Sequence, residues 1–174
     1  KVMGGTSSIN GMVYVRGNAH DYDEWESHGA EGWNYQNCLP YFKKFENHQC
    51  VNSDYTGNDG PVAISGGNNM RNPLYRAFID AGVEAGYGET QDYNGYRQEG
   101  FGQKFMNVDR GIRASTSHAY INNGKKRANL TILKRGLVTR INFEGKTATG
   151  IQCQIGGRIK TFNAEREVIL CAGA

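Results

Sequence analysis

The sequence predicts an α+β, mixed α/β fold in which helices come first and a meander of short antiparallel strands follows. Apolar residues recur at helical spacing early in the chain, at Leu39, Phe42 and Phe45 and again at Leu74, Ala77, Phe78 and Ala81. Beyond about residue 130 the rhythm changes to short β-rich runs parted by turn residues. Glycine is plentiful, 24 of 174 residues, about twice ordinary usage, and it lies in turns rather than in one tract.

Each element has its own signal. Asp21-Tyr22-Asp23-Glu24-Trp25 reads as the acidic first turn of a short helix that ends near Gly29. Tyr35 to His48 reads as a second helix, with Pro40 acceptable only if it falls in the first turn. Val51 to Gly60 is a polar loop. Asn72 caps a third helix with Pro73 at its first position, and the helix runs to Gly86.

Gln91 to Gly102 is loop-like, Gln103 to Val108 alternates as a strand, and Arg113 to Asn123 is a helix capped at Ser115 or Thr116. Leu130–Leu133, Val138–Phe143, Thr149–Ile155 and Arg158–Phe162 are the strands of the meander, with turns at Glu144-Gly145-Lys146 and Gly156-Gly157. Val168 to Cys171 is a continuous apolar run, expected as a buried parallel strand leading into a loop at Ala172-Gly173. The chain opens and closes in mid-pattern, so it is expected to be an internal piece of a longer protein.

Composition narrows the function. Hydrophobic residues make up 38% and charged residues 21%, a globular balance, and no run is long enough for a membrane helix. The net charge of +3 is scattered, with clusters only at Lys43-Lys44 and Lys125-Lys126-Arg127. That is no basic stripe, so no nucleic-acid partner is expected. Cys38, Cys50, Cys153 and Cys171 show no CxxC spacing and no histidine pair stands at ligand spacing near them. No metal site is expected, and the thiols read as reduced and intracellular.

The stretch from Met3 to Gly17, "MGGTSSINGMVYVRG", carries the chemistry. Gly4, Gly5 and Gly11 let the backbone take positive φ or approach a flat ligand, while Thr6, Ser7, Ser8 and Asn10 supply polar groups. Two readings stand side by side: a loop that wraps a cofactor, or a glycine turn whose hydroxyl caps a helix. A phosphate-binding P-loop is excluded because no Gly-Lys-Ser/Thr follows.

Read whole, "GGTSSINGMVYVRGN" followed by "DYDEW" resembles the first signature of the glucose-methanol-choline (GMC) family of flavin oxidoreductases. "DGP" at 59–61, "GFG" at 100–102, "RAST" at 113–116, "NLTI" at 129–132 and "EVILCAGA" at 167–174 follow in the family's order. The text at 53–62, 81–87 and 94–102 is similar to the family's bacterial choline-oxidising members.

The resemblance implies a fragment of a two-domain FAD-binding fold. It divides the chain into a flavin-contacting loop with its following helices (1–60), a substrate-domain segment (61–128), and the β-meander and last strand of the FAD domain (129–174). It places Gly5, Thr6, Asn10, Gly11, Met12 and Val13 around the flavin ring and pyrophosphate, Val138 at the adenine, and Ala172 and Gly173 beside the nucleotide. Ile9 stands where some relatives carry a histidine joined to the flavin, which implies FAD held non-covalently.

For the intact parent the resemblance implies oxidation of choline to betaine aldehyde, towards glycine betaine, by hydride transfer to flavin N5. Electrons are expected to pass to an acceptor other than oxygen whose identity the residues do not set. Other alcohols, or a non-catalytic binding module, are the alternatives. Localisation is expected in the bacterial cytoplasm or on the cytoplasmic face of the membrane, with peripheral attachment open.

Trp25, Trp33, Tyr35, Tyr93 and Tyr96 are candidate walls for a trimethylammonium group. His20, His28, His48 and His118 are not expected to act as the catalytic base, because the family's catalytic histidine motif lies downstream of "CAGA". The isolated chain is therefore expected to be inactive and to hold FAD weakly.

Overall fold

The computed structural model describes residues 2–121 and 127–173, and the chain divides into two compact units, Lys1–Lys125 and Lys126–Ala174. Each is built by its own logic.

The first unit opens with a single 3-10 turn, Gly5–Ser8, and then an extended stretch in which side chains alternate. Helix α1 (Ala19–Ser27) begins at a capping box: the Asn18 side chain accepts from the first turn, and Asp21 accepts the Asn18 N–H at 2.9 Å. Helix α2 (Tyr35–Phe45) is capped by Asn34, and its side chain is in turn gripped by Glu26 of α1 at 2.8 and 2.9 Å. Lys43 and Lys44 lie in the last turn, where the helix dipole favours cations.

Helix α2 is shorter than the pattern predicts, and Pro40 lies beyond its first turn. The proline forfeits one backbone hydrogen bond, which the caps and the apolar stripe outweigh. Glu46–His48 leaves the helix as strand β1 and pairs in parallel with β2 (Val62–Ile64), Glu46 facing Val62 and His48 facing Ile64. The intervening loop folds back tightly. A Cβ on Gly57 would stand 1.9 Å from the Lys43 carbonyl oxygen, and one on Gly60 would stand 2.2 Å from the Phe45 carbonyl carbon. The "DGP" glycine is thus required by close backbone approach.

Helix α3 (Pro73–Glu84) starts as expected, with the Asn72 side chain accepting from the Leu74 N–H at 3.0 Å. Phe101, the centre of "GFG", packs against Gly82 of α3 and against the rings of Phe78 and Tyr87 at 5.3 and 5.6 Å. The expected strand at 103–108 is reduced to bridges at Met106, which pairs with both Val13 and Ser65, and to β3 (Val108–Asp109) paired with β4 (Ile112–Arg113). The expected helix from Arg113 becomes a short π-helical turn, Ser117–Ile121, with Ser115 Oγ accepting from the His118 N–H at 3.2 Å. Asn122 and Asn123 fall outside the described residues.

The core of this unit is Tyr14, Ile64 and Phe105, with Phe45, Val51 and Tyr93 packed around it. Tyr93 stacks on Phe105 at 5.1 Å, and His48 meets the same ring edge-on at 4.5 Å.

The second unit is a three-stranded antiparallel sheet in the order β5 (Gly136–Glu144), β6 (Thr147–Ile155), β7 (Arg158–Asn163). Gly145 at φ 60° and the Gly156-Gly157 pair at φ 58° and 78° supply the positive φ that two-residue hairpin turns need. Leu130–Leu133 forms no strand, and Val138 is the point at which the first strand of the meander slips register. Val168–Cys171 also pairs with no strand of the described residues, and Ile169 and Leu170 lie open to solvent. A parallel strand exists only between neighbours, and this sheet offers it none.

Candidate functional site

Beneath the Met3–Gly17 stretch lies a buried polar cluster. The alternation of Val13, Tyr14, Val15 and Arg16 sends the two valines outward, 46% and 63% exposed, and the tyrosine and arginine inward. Glu46, fully buried at the start of β1, receives both: Tyr14 Oη and Arg16 Nη2 bond to its Oε1, with Arg16 Nε on the same oxygen at 2.9 Å. Its second oxygen accepts from the Gly57 N–H at 3.1 Å. The Arg16 guanidinium also donates to the Tyr55 carbonyl at 2.9 Å and lies over the Phe42 ring at 5.1 Å. Burial pushes the Tyr14 phenol well above its ordinary range, the Arg16 hydrogen bond opposing and Glu46 adding. This cluster did not emerge from the sequence reading, although a charged residue in phase with an inward tyrosine was a usable signal.

Above that anchor, the loop itself is braced by "RAST". Arg113 Nη1 donates to Asn10 O at 2.8 Å, Asn10 Oδ1 at 3.0 Å and Ser7 O at 3.3 Å. The Thr116 N–H donates to Ser7 Oγ at 3.0 Å, and Thr116 Oγ1 donates to Gly4 O at 3.3 Å. Gly4 is at φ 86°, and a Cβ there would crowd Ser8 Oγ at 2.5 Å and Ser117 at 3.2 Å. Two stretches about a hundred residues apart in sequence thus form one surface.

The outward side of this surface is polar and open. Gly5, Thr6, Asn10, Gly11 and Val13 are exposed and Met12 is half-buried. Met12 sits at φ 63°, a left-handed conformation that a side chain seldom adopts, held by its N–H to Asn10 Oδ1 at 3.0 Å and its carbonyl to the Asn107 N–H at 2.8 Å. The Gly11 and Val13 N–H groups have no hydrogen-bond partner among the described residues. Neither Gly5 nor Gly11 has any atom within 4 Å of a would-be Cβ. Unpaired backbone N–H groups on exposed residues suit negative charge on a ligand.

Other candidates are dispersed. Val138 lies in the second unit on β5 beside a register slip, opposite Cys153 and 47% exposed. Ala172 and Gly173 follow in the same unit, both exposed. The aromatic candidates do not converge: Trp25 pairs with Trp33 at 6.3 Å, and Tyr93 is committed to the core through hydrogen bonds of 2.7 Å with Tyr14 O and the Phe105 N–H. Tyr35 and Tyr96 do share an open cleft of about 460 Å³ with Tyr55, and one side chain of each charge, Arg97 and Glu99, lines it with them.

Among the histidines, His48 is a buried structural residue whose Nδ1 accepts the Cys50 and Val51 N–H groups at 3.3 and 3.1 Å. His20 and His28 are exposed, and His118 Nε2 stands 4.0 Å from Asp109. The four cysteines are free. Among the described residues no group of histidine, cysteine or acidic side chains is placed to hold a metal, and no helix is long and apolar enough to cross a membrane.

Glycine-braced loop, polar anchor and trailing meander together define a class, and the chain belongs to it: the GMC oxidoreductase family, whose model matches residues 1–174. Within that family the chain is 57% identical over its whole length to the oxygen-dependent choline dehydrogenase of Vibrio vulnificus, and 56% identical to that of Photobacterium profundum. The chain spans about a third of their length, 31% in each case. Among solved structures it is similar to an FAD-dependent oxidoreductase from Chaetomium thermophilum, with a TM-score of 0.84 and 28% identity over 92% of this chain and 30% of that one. It is also similar to pyridoxine 4-oxidase from Mesorbium loti, with a TM-score of 0.76 and 25% identity over 90% of this chain and 31% of that one. The mixed α/β architecture is that of a piece of an FAD-binding oxidoreductase.

Proposed function

We propose that this chain supplies the flavin-contacting loop and part of the nucleotide-binding domain of a protein that oxidises choline to betaine aldehyde, towards glycine betaine. The observation that carries the reading is the 57% identity to a choline dehydrogenase over the whole chain, a span that includes the loop. FAD, when bound, supplies the hydride acceptor. Gly5, Thr6, Asn10, Gly11, Met12 and Val13 hold the flavin; Val138, Ala172 and Gly173 serve its nucleotide end. The unpaired Gly11 and Val13 N–H groups fit that cofactor, since fixed backbone donors stabilise negative charge on a reduced ring without reorganising.

Attachment is non-covalent in this reading, because Ile9, 73% exposed on the same loop, has no nucleophilic atom. Residues 1–60 form the flavin loop and its helices, 61–128 a substrate-domain segment, and 129–174 the meander and last strand of the FAD domain. Ile169 and Leu170 are then covered by neighbouring strands in the whole protein. The two relatives are named oxygen-dependent, a name that supports oxygen as the electron acceptor of the whole protein over the non-oxygen acceptor expected from the resemblance. The reading places the whole protein in the bacterial cytoplasm or on the cytoplasmic face of the membrane.

The test is the visible spectrum of the whole parent, purified with its flavin, before and after anaerobic choline. Bleaching of the oxidised-flavin band, followed by its return on admitting air, is the expected result. A flavin that stays oxidised with choline but bleaches with another primary alcohol overturns the substrate, and a parent that binds no flavin overturns the cofactor.

A further inference from the structure

We propose that Arg113 is a positioning residue for the flavin, acting through Asn10. The inference rests on the reading of Gly5 to Val13 as the flavin loop. One guanidinium nitrogen of Arg113 serves three acceptors on that loop, Ser7 O, Asn10 O and Asn10 Oδ1. Asn10 Oδ1 takes a second donor, the Met12 N–H at 3.0 Å. Both partners of this oxygen are obligate donors, so the amide can face only one way. Its Nδ2 group is turned from them and has no partner among the described residues, and Asn10 is an exposed residue.

Two consequences follow from that single orientation. The Asn10 amide offers its N–H donors outward, beside the unpaired Gly11 and Val13 N–H groups. Met12 is also kept at φ 63°, which turns the chain between Gly11 and Val13. Arg113 therefore sets the donor pattern that the ligand meets without touching the ligand itself. Its charge adds a smaller effect, because a guanidinium bonded to the loop favours an electron-rich ligand on it. Lysine cannot substitute fully, since it keeps the charge but its shorter side chain does not carry the donor as far as Arg113 Nη1.

The experiment uses the whole parent with its flavin and the variants Arg113→Lys, Arg113→Gln, Asn10→Ala and Arg113→Gln/Asn10→Ala. FAD dissociation constants are read from the fluorescence of released flavin, midpoint potentials from dye-coupled reduction, and fold integrity from the thermal midpoint of the flavin-free protein. The expected result for Arg113→Gln is FAD affinity about tenfold weaker and a lower flavin potential, with the flavin-free midpoint nearly unchanged. Arg113→Lys falls between wild type and Arg113→Gln. In the Asn10→Ala background the arginine change adds little, because the two residues act as one unit.

Unchanged affinity and potential in Arg113→Gln overturn the proposal. So do additive losses across the cycle, and so does a fall in the flavin-free midpoint that accompanies every loss of affinity, since Arg113 would then brace the fold only. If Arg113→Gln does not fold, Arg113→Lys decides on the same readouts. A wild-type parent that binds no FAD would instead defeat the flavin-loop reading.

Discussion

Arg16 and Glu46 form an ion pair in which the two side chains are 2% and 0% exposed, and Tyr14 joins it on the same carboxylate oxygen. A buried pair of this kind contributes little net stability when intact, but removing one partner strands the other charge away from water. Glu46→Ala is accordingly expected to destabilise the protein by about 3–5 kcal/mol. Soluble yield and thermal midpoint check this, and a midpoint within a few degrees of wild type would show that water reaches Arg16.

Tyr14→Phe removes one hydroxyl and leaves the ion pair in place. The expected cost is about 1–2 kcal/mol, well below that of Glu46→Ala. Denaturant unfolding of both variants under identical conditions ranks them, and the reverse order would refute the division of roles within the cluster.

His48 makes the fold sensitive to acid. Burial holds its imidazole below the ordinary value, with Asp92 and Glu46 pulling it up and Arg16 pushing it down. The unfolded chain therefore takes up the proton more readily than the folded one. The contribution is fully present above the unfolded value of about 6.5 and is lost as pH falls below it towards and through the folded value. Protonating Nδ1 would also break its bonds to the Cys50 and Val51 N–H groups. Thermal midpoints measured from pH 8 to pH 5 should fall, and should fall less steeply in His48→Asn, whose side-chain oxygen can still accept.

Two glycines separate packing from ligand approach. Gly57→Ala drives a methyl group into the Lys43 carbonyl and should cost about 3 kcal/mol or more. Gly11→Ala meets open space within the chain and has no left-handed backbone to strain, so stability should hold. In the flavin-loop reading, Gly11→Ala weakens FAD binding all the same. Equal FAD affinity in Gly11→Ala and wild type would move the flavin away from this loop.

Acid precipitation tests attachment directly. With Ile9 on the loop, the parent should release its flavin to the supernatant as free FAD. Yellow colour retained in the pellet would reveal a covalent link through another residue.

Much of the local structure was legible because it depends on near neighbours. Asn72 starts its helix with its own side chain, and Gly145 and the Gly156-Gly157 pair turn the strands of the meander without outside help, whereas the Asn18 and Asn34 caps were found in the structure. The failures share a different cause. At Glu46–His48 the apolar stripe of α2 runs out, and β2 decides whether helix or strand follows. Val168–Cys171 carries a strand's apolar run but has no neighbour to pair with among the described residues.

The sequence by itself determined the family, the Asn72 cap and the meander's turns, and the loop on which cofactor chemistry would be sought. Those depend on residue types at short spacing, where backbone geometry and side-chain reach fix the outcome. Only the tertiary structure decided that Glu46 is sealed beneath Tyr14 and Arg16, that "DGP" and "GFG" mark close backbone and ring contacts, and that Arg113 holds Asn10. Those partners stand tens to a hundred residues apart, and no local pattern encodes which buried donor will find which acceptor. That choice is made when the chain closes and every polar group taken from water must be paired again.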